Sequence, residues 1–474
     1  MVTKKRKKLT HKQKIIKLQN NIVKNCNTLW YPPNTIRKKQ IQTNSWFDIK
    51  VSKSFSGCNI PTNNQINIPV KKLEKPIQCS TIKLKLTDKQ KKVINSWMDA
   101  HTFVYNKTIA YINKKYKKDH KYSCSFYTLR NEMSAIIHKS MNKSKEIADT
   151  IGKIYNPVGK IPNYSVRKHM LDQSVKIALS NYKTCKTNLK KGHIKFFFLR
   201  KLKYNRKNKI MRIESSFFSK NGMCEKILGQ MKGFYMNDKM KKKMFNFGDI
   251  KKDCILKYDS KINEYSLFVP EKPKNIVVKN INRKQLIAID PGFRSFITGI
   301  TENNTVEIGT NMIETIKRHL KKIENLKKII TNNKKRKQKI VKEKIKMKNV
   351  IDDFHWKTIK YLTDNHKYIM IGNLSTKGVI KKNGDVKSGS YKKAITSSRL
   401  YQFRQRLEYK CIINGLGYKK IDEYYTSKMC SRCSKINDPG SLKTYKCDNC
   451  NLIIDRDING ARNIYFKRNF SYYD

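Results

Sequence analysis

The chain has 474 residues, and its 105 Lys and Arg against 35 Asp and Glu leave a formal charge of +70. At roughly 100–200 residues per domain there is room for about two to four domains, and a 38% hydrophobic fraction excludes a wholly disordered chain. No apolar run approaches the ~20 residues of a membrane span, and MVTKKRKKLTHKQK lacks the apolar stretch of an export signal, so an intracellular, non-membrane protein is expected. About 35 base pairs of duplex would neutralise this charge, which makes nucleic acid the expected partner.

Residues 1–78 are rich in Lys, Asn, Thr, Gln and Ser with little periodicity, and read as a basic disordered arm. KKRKK at 4–8 fits a nuclear-import patch or a nucleic-acid-binding tail equally well. Order begins with STIKLKL (80–86), where Ile82, Leu84 and Leu86 alternate against Lys as in a half-buried strand. Thr87 then caps a helix that places Val93, Trp97, Ala100, Val104, Ile109 and Ile112 at helical spacing. Residues 125–190 also read as helical, with Pro157 and Pro162 marking a loop. HIKFFFL, KIMRIESSFF, CILKY and EYSLFV between 193 and 270 read as short strands separated by turns. A strand, a helical block and further strands suggest a β-barrel with a helical insertion.

Pro270 and Pro273 mark a boundary. QLIAIDPGFRSFITGIT then reads as strand–turn–strand, and 312–362 as two long helices broken at 331–335. KYIMIGNL (367–374) is a buried strand, 398–414 a helix, GYKKIDEYY (417–425) a strand, and LIIDRDINGARNIYF a strand and a helix beginning near Asn459. This order predicts an α/β layer around a mixed sheet.

Cys430, Cys433, Cys447 and Cys450 form two CxxC pairs, whereas the other eight cysteines are scattered singly. In an intracellular chain this spacing predicts a closed tetrathiolate zinc site with no open position, hence structural and not catalytic. Carboxylates are the second signal, because acids are scarce here. Asp290 ends LIAID before Pro291 and Gly292, Glu423 ends the strand before the cysteine loop, and Asp457 lies in IIDRDING. Acids converging at strand ends can hold two divalent cations about 3.5–4 Å apart, the arrangement that hydrolyses phosphodiesters, and hard oxygen donors suit Mg²⁺. Each acid also has an ordinary reading: a turn residue, a lysine partner or a helix cap.

Together, IAIDPGFRSF, the hairpin ending DDFHWKTIKYL, KYIMIGNLS, EYYTSKMCSRC with CDNC, and DRDINGARNI occur in the order seen in the RuvC-like nuclease domains of TnpB proteins. Those are RNA-guided nucleases encoded by insertion sequences. The resemblance is close over roughly 281–466 and looser over 80–280. It implies a multidomain α/β plus β-barrel fold: a basic arm (1–78), a β-barrel wedge domain (79–90 and 191–280), a helical recognition domain (91–190), an RNase H-like (RuvC) nuclease domain (281–428 and 452–474), and a zinc ribbon (429–451).

One departure stands out. The strand matching KYIMIGNL ends in a catalytic Glu in TnpB, and Gly372 holds that place here. Glu423, on the next strand, can replace it if the strands are neighbours, since a glycine opposite leaves room. This pattern resembles Fanzor proteins, the eukaryotic and large-virus relatives of TnpB. Glu408, within a helix among Arg404, Arg406 and Lys410, is the competing candidate. The resemblance implies an RNA-guided DNA endonuclease of a transposable element, with Asp290, Glu423 and Asp457 holding two Mg²⁺ and the four cysteines holding Zn²⁺. A guide RNA and a target duplex with a short flanking motif would be its partners, around a monomeric protein in a ribonucleoprotein. The expected location is a eukaryotic nucleus or, for a viral protein, the virion, host nucleus or cytoplasm. The rival readings are a catalytically inactive RNA-guided binder, motivated by Gly372, and a transposase.

Overall fold

Strand pairing begins earlier than the polar composition of the first 78 residues suggests. In a computed structural model that describes residues 13, 15–16, 18–20, 38–44, 46–53, 78–133, 168–206, 208–236, 244–260, 262–271, 284–302, 304–329, 334–376, 380, 389–440 and 442–467, β1 (Lys38–Asn44) and β2 (Phe47–Lys53) form an antiparallel hairpin. This corrects the expectation of an arm disordered throughout 1–78. Phe47 and Ile49 sit in the core at alternate positions, a period-2 signal hidden in a Lys- and Asn-rich context. KKRKK lies outside the described residues. The chain divides into two units, Met1–Pro76 with Lys274–Asp474, and Ile77–Pro273.

The Ile77–Pro273 unit contains β3 (Gln78–Lys85), α1 (Asp88–Lys118), α2 (Lys168–Lys190), β4 (Asn208–Ile213), the two-residue strands β5 (Phe218–Ser219) and β6 (Gly222–Met223), β7 (Lys232–Tyr235), β8 (Cys254–Asp259) and β9 (Glu264–Glu271). Thr87 caps α1 as expected: the Gln90 N–H donates to Thr87 Oγ1 at 3.3 Å, and the Thr87 N–H donates to Gln90 Oε1 at 2.9 Å. A five-stranded antiparallel sheet runs in the order β4-β8-β9-β3-β7. Among the described residues its edge strands β4 and β7 do not pair with each other, so the described sheet is open where a closed barrel was expected. Ile94, Trp97 and Met98 of α1 pack into the core beneath the sheet, and its second half joins α2 in a separate helical core through Val104, Ile109 and Ile112. One continuous helix therefore serves both cores. Pro157 and Pro162 lie outside the described residues. HIKFFFL is no strand: it lies against α1 with no ladder partner among the described residues.

The other unit continues with β10 (Lys284–Pro291), β11 (Ile297–Ile300), β12 (Asn304–Ile308), α3 (Met312–Lys328), α4 (Lys334–Asn365), β13 (His366–Gly372), α5 (Gly389–Ser397), α6 (Leu400–Ile413), β14 (Gly417–Ile421), β15 (Thr444–Lys446), β16 (Ile453–Asp455) and α7 (Arg456–Phe466). Seven strands align as β1-β2-β12-β11-β10-β13-β14, with β13 parallel to β10 and to β14 and the remaining pairs antiparallel. Alternation sorts the side chains between two faces. Ile287, Ile289, Ile369 and Ile371 point into a core that includes Ile351, Phe354 and Phe403 from α4 and α6. Leu286, Ala288, Met370 and Ile421 point into the opposite core with Ala461, Ile464 and Tyr465 of α7. Burial on both faces explains the near-continuous apolar runs. No helix among the described residues is long and apolar enough to cross a membrane.

His355 of α4 is buried against Phe296, Phe354 and Phe403. Its Nε2 lies 3.0 Å from the Ser398 carbonyl and its Nδ1 3.2 Å from Arg406 Nη1, partners that fit a neutral ring donating from Nε2 and accepting at Nδ1. Burial, and then the Arg406 charge, push its pKa down to about 4 from an ordinary 6.5. The neutral ring's contribution is therefore complete above pH 6.5 and is lost as pH falls toward 4. Urea unfolding at pH 7 and pH 4.5 should show the native chain losing on the order of 2 kcal/mol more across that interval than His355→Gln.

Candidate metal and hydrolytic centre

Parallel register brings the ends of three strands together. Ile289 pairs with Ile371 and Gly372 pairs with Ile421, so Asp290 and Gly372 lie at one level at the carboxyl ends of β10 and β13. Glu423 follows β14 by two residues. Period-2 alternation puts Asp290, Gly372 and Glu423 on the face that α7 covers, in step with Ala288, Met370 and Ile421. Strands about 4.8 Å apart leave Glu423 one strand too far from Asp290 unless its side chain crosses β13. It crosses at Gly372. A Cβ there would lie 2.8 Å from Glu423 Cδ and 2.9 Å from Cγ, closer than van der Waals contact allows. A second glycine does the same for Asp290, because a Cβ at Gly460 of α7 would lie 3.1 Å from Asp290 Cγ and closer still to its Oδ2.

Asp457 comes from the first turn of α7, which starts at Arg456, three residues before the expected position. The cap is Asp455, whose Oδ1 accepts the Asp457 N–H at 2.8 Å, so Asp457 itself does not cap the helix. Burial raises the pKa of Asp290 well above the carboxylate range, and the neighbouring charges of Glu423 and Asp457 raise it further. Burial lifts Glu423 to about 7 against the pull of Arg404 and of a hydrogen bond from the Leu374 N–H. Asp457 is raised by burial and by Asp455, against Arg294 and Arg456. Glu423 Oε1 is buried with no hydrogen-bond partner. An orphaned carboxylate oxygen, two glycines in place of side chains and all-oxygen donors fit a hard divalent cation. Glu408 lies elsewhere on α6, where its charge acts on Cys411 and Tyr418.

Mutually raised carboxylates cost folding energy when no cation neutralises them. Glu423→Gln should therefore stabilise the metal-free protein by on the order of 1–3 kcal/mol. Thermal unfolding in EDTA should show the gain, and millimolar Mg²⁺ should erase it by stabilising only the native chain. A variant less stable than the parent in EDTA would overturn this account.

The four cysteines bring their sulfurs within 4.8 Å of one another, with Cys430 to Cys450 at 3.6 Å and Cys433 to Cys447 at 3.5 Å, and can hold a zinc ion. Both knuckles repeat one geometry. The residue after each second cysteine is left-handed, Ser434 at φ 60° and Asn451 at φ 54°, and its N–H donates to the first cysteine's carbonyl at 3.0 Å. Burial opposes ionisation at Cys447, but N–H groups of Cys450 and Asn449 bring its thiol down to about 7. Among the described residues no other group of three Cys, His or acidic side chains closes to this spacing, so the three carboxylates stand more openly than the thiols.

Sequence reasoning missed the residues that hold this centre together. Along α7, Asn459 accepts the Ser431 N–H at 3.0 Å and donates to the Met429 carbonyl at 2.9 Å. Asn463 donates to the Thr426 and Met429 carbonyls, each at 2.7 Å. Lys467 Nζ donates to the carbonyls of Asp422 and Tyr424, at 2.8 and 3.2 Å, on either side of Glu423. Polar residues at 459, 463 and 467, four apart on one helix face, were the available signal. The helix that carries Asp457 thus also fixes Glu423 and the zinc loop.

Residues 401–464 match the Cas12f1-like TNB domain family and residues 80–121 a helix-turn-helix domain family, the latter covering β3 from Ser80 onward and all of α1. A TnpB-like protein of Acanthamoeba polyphaga mimivirus is 31% identical over 488 residues, 96% of this chain and 88% of that one. A candidate RNA-guided DNA endonuclease of Streptomyces pristinaespiralis is 29% identical over 136 residues, 28% of this chain and 32% of that one. Among solved structures, the Cas12f1–sgRNA–target DNA complex aligns at 14% identity with a TM-score of 0.41, covering 82% of this chain and 98% of that one.

Proposed function

The chain belongs to the TnpB-like family, and from that premise we propose that it is an RNA-guided DNA endonuclease of the Fanzor type whose hydrolytic centre is Asp290, Glu423 and Asp457. The observation that carries the reading is Glu423 crossing Gly372 toward Asp290: an acid fills the space where the strand itself lacks one. Mg²⁺ held there would supply the Lewis acidity for phosphodiester hydrolysis. The chain's own part is to hold the three carboxylates: Asp290 in the middle of the recess, Glu423 steadied by Leu374 and Lys467, and Asp457 on the first turn of α7. Their open spacing suits ligands that flank a pair of ions about 3.5–4 Å apart.

The seven-stranded sheet with its helices is then the RuvC-like domain, the cysteine loop its zinc ribbon, and the Ile77–Pro273 unit the wedge and recognition parts. Guide RNA and target DNA account for the charge of +70. The mimivirus relative favours a eukaryotic host or one of its large viruses.

The test is to purify the chain from cells that also transcribe the DNA flanking its gene, sequence the bound RNA, and offer a plasmid matching that RNA in Mg²⁺. Cleavage confined to the match is expected. Guided binding without cleavage would leave the inactive reading that Gly372 first suggested, and joined ends would indicate a transposase.

A further inference from the structure

Residues 195–203 carry two large exposed apolar side chains of the described Ile77–Pro273 unit in an unusual setting. The segment belongs to no sheet among the described residues. Two asparagines of α1, seven residues apart, take the place of a partner strand. The Asn106 amide donates to the Leu202 carbonyl at 2.9 Å and accepts the Leu202 N–H at 2.7 Å. The Asn113 amide does the same for Leu199, at 2.9 and 3.3 Å. Inward-facing Phe197 stacks on Tyr116 with centroids 4.7 Å apart, and Leu199 is buried. This anchoring turns Phe196 and Phe198 outward, 84% and 71% exposed. Lys195, Arg200, Lys201 and Lys203 surround them, all exposed and none paired with a carboxylate among the described residues.

We infer that Phe196 and Phe198 form a stacking platform for the unpaired bases of a nucleic-acid strand. Phe196 and Phe198 are alternate residues, and a chain spans at most about 6.6–7 Å over two residues, about twice the ~3.4 Å stacking rise, so there is room for no more than one base between the two rings. Arg200 lies one step further on the same face, where its guanidinium can meet a phosphate or cover the next base. Two bare rings alone would suit a protein partner as well. The unpaired cations decide for a polyanion, because a protein surface would have to supply carboxylates to each of them, whereas a strand brings one charge per nucleotide. The anchor makes the platform rigid, which lowers the entropy lost on binding. The inference rests on the chain's handling of nucleic acid and is independent of the hydrolytic centre.

The test is equilibrium binding of fluorescein-labelled 20-mers, as single-stranded RNA, single-stranded DNA and duplex, to the full chain without Mg²⁺. Phe196→Ala with Phe198→Ala should weaken unpaired strands about ten-fold or more, leave the salt dependence and duplex affinity unchanged, and leave the unfolding temperature unchanged. Phe196→Trp with Phe198→Trp should keep the affinity. Abasic strands should bind the native chain as weakly as bases bind the double alanine variant, with no further loss when the two changes are combined. The RNA and DNA arms tell which strand the platform serves. Equal binding by native and double alanine proteins overturns the platform while leaving the nuclease reading intact. A lowered unfolding temperature shows the rings to be covered by protein and overturns it as well. Failure of the native chain to bind any strand removes the broader reading too.

Discussion

Glu423→Ala should abolish guided cleavage, to the same floor as Asp290→Ala and Asp457→Ala, while guided DNA binding should persist. On the proposed reading, removing one of three acids would take away ligand charge that positions the cations, an effect worth several kcal/mol in the transition state. Glu408→Ala is the control. Its carboxylate acts on Cys411 and Tyr418, away from Asp290, and a helical surface pair contributes only ~0.3–0.5 kcal/mol. Gly372→Ala should cost nearly as much as Glu423→Ala, because its Cβ would occupy the space of the Glu423 side chain. Gly372→Glu should not restore activity in the parent, where two acids would crowd one site and raise each other's pKa. All variants are compared on one plasmid at equal DNA occupancy. Full activity in Glu423→Ala would sink the assignment, and loss only in Glu408→Ala would transfer it.

Cys447→Ser should lose zinc and cleavage together. Structural zinc supplies about 10–16 kcal/mol of folding energy in isolated knuckle peptides. Here the loop it closes is clamped to α7, with Asn459 and Asn463 gripping the residues around Cys430. An open loop therefore loosens the same helix that holds Asp457 and, through Lys467, the backbone on both sides of Glu423. Zinc content by mass spectrometry and cleavage by gel decide the matter. A serine variant that keeps full cleavage with half the zinc, or none, would separate the two sites.

Much of this was legible from local pattern. Near-continuous apolar runs marked β10 and β13, the capping box at Thr87 marked α1, and CxxC spacing marked the thiol site. Asp290 and Asp457 stood out because acids are scarce in a chain of +70. What stayed hidden depended on register across the sheet. No local rule tells that Gly372 pairs with Ile421, or that Gly460 faces Asp290, since both relations join segments far apart in the chain. The hairpin at 38–53 was missed because its apolar residues are few and the strand it joins, β12, lies about 250 residues further along the chain. HIKFFFL misled for the opposite reason: its composition suits a strand, but the backbone of its last residue, Leu199, is bonded by the Asn113 side chain.

The clamp along α7 also sets a clock. Asp290 is the first of the three acids to be made, yet Asp457 and the Lys467 that steadies Glu423 follow it by roughly 170 residues. At about 5–20 residues per second of translation, the recess stays incomplete for on the order of 10–30 seconds after Asp290 is polymerised. A nascent chain carrying the whole β10–β14 region still lacks the helix that makes the acids converge. On the proposed reading, its strongly basic surface would gather nucleic acid during synthesis before the hydrolytic centre is complete.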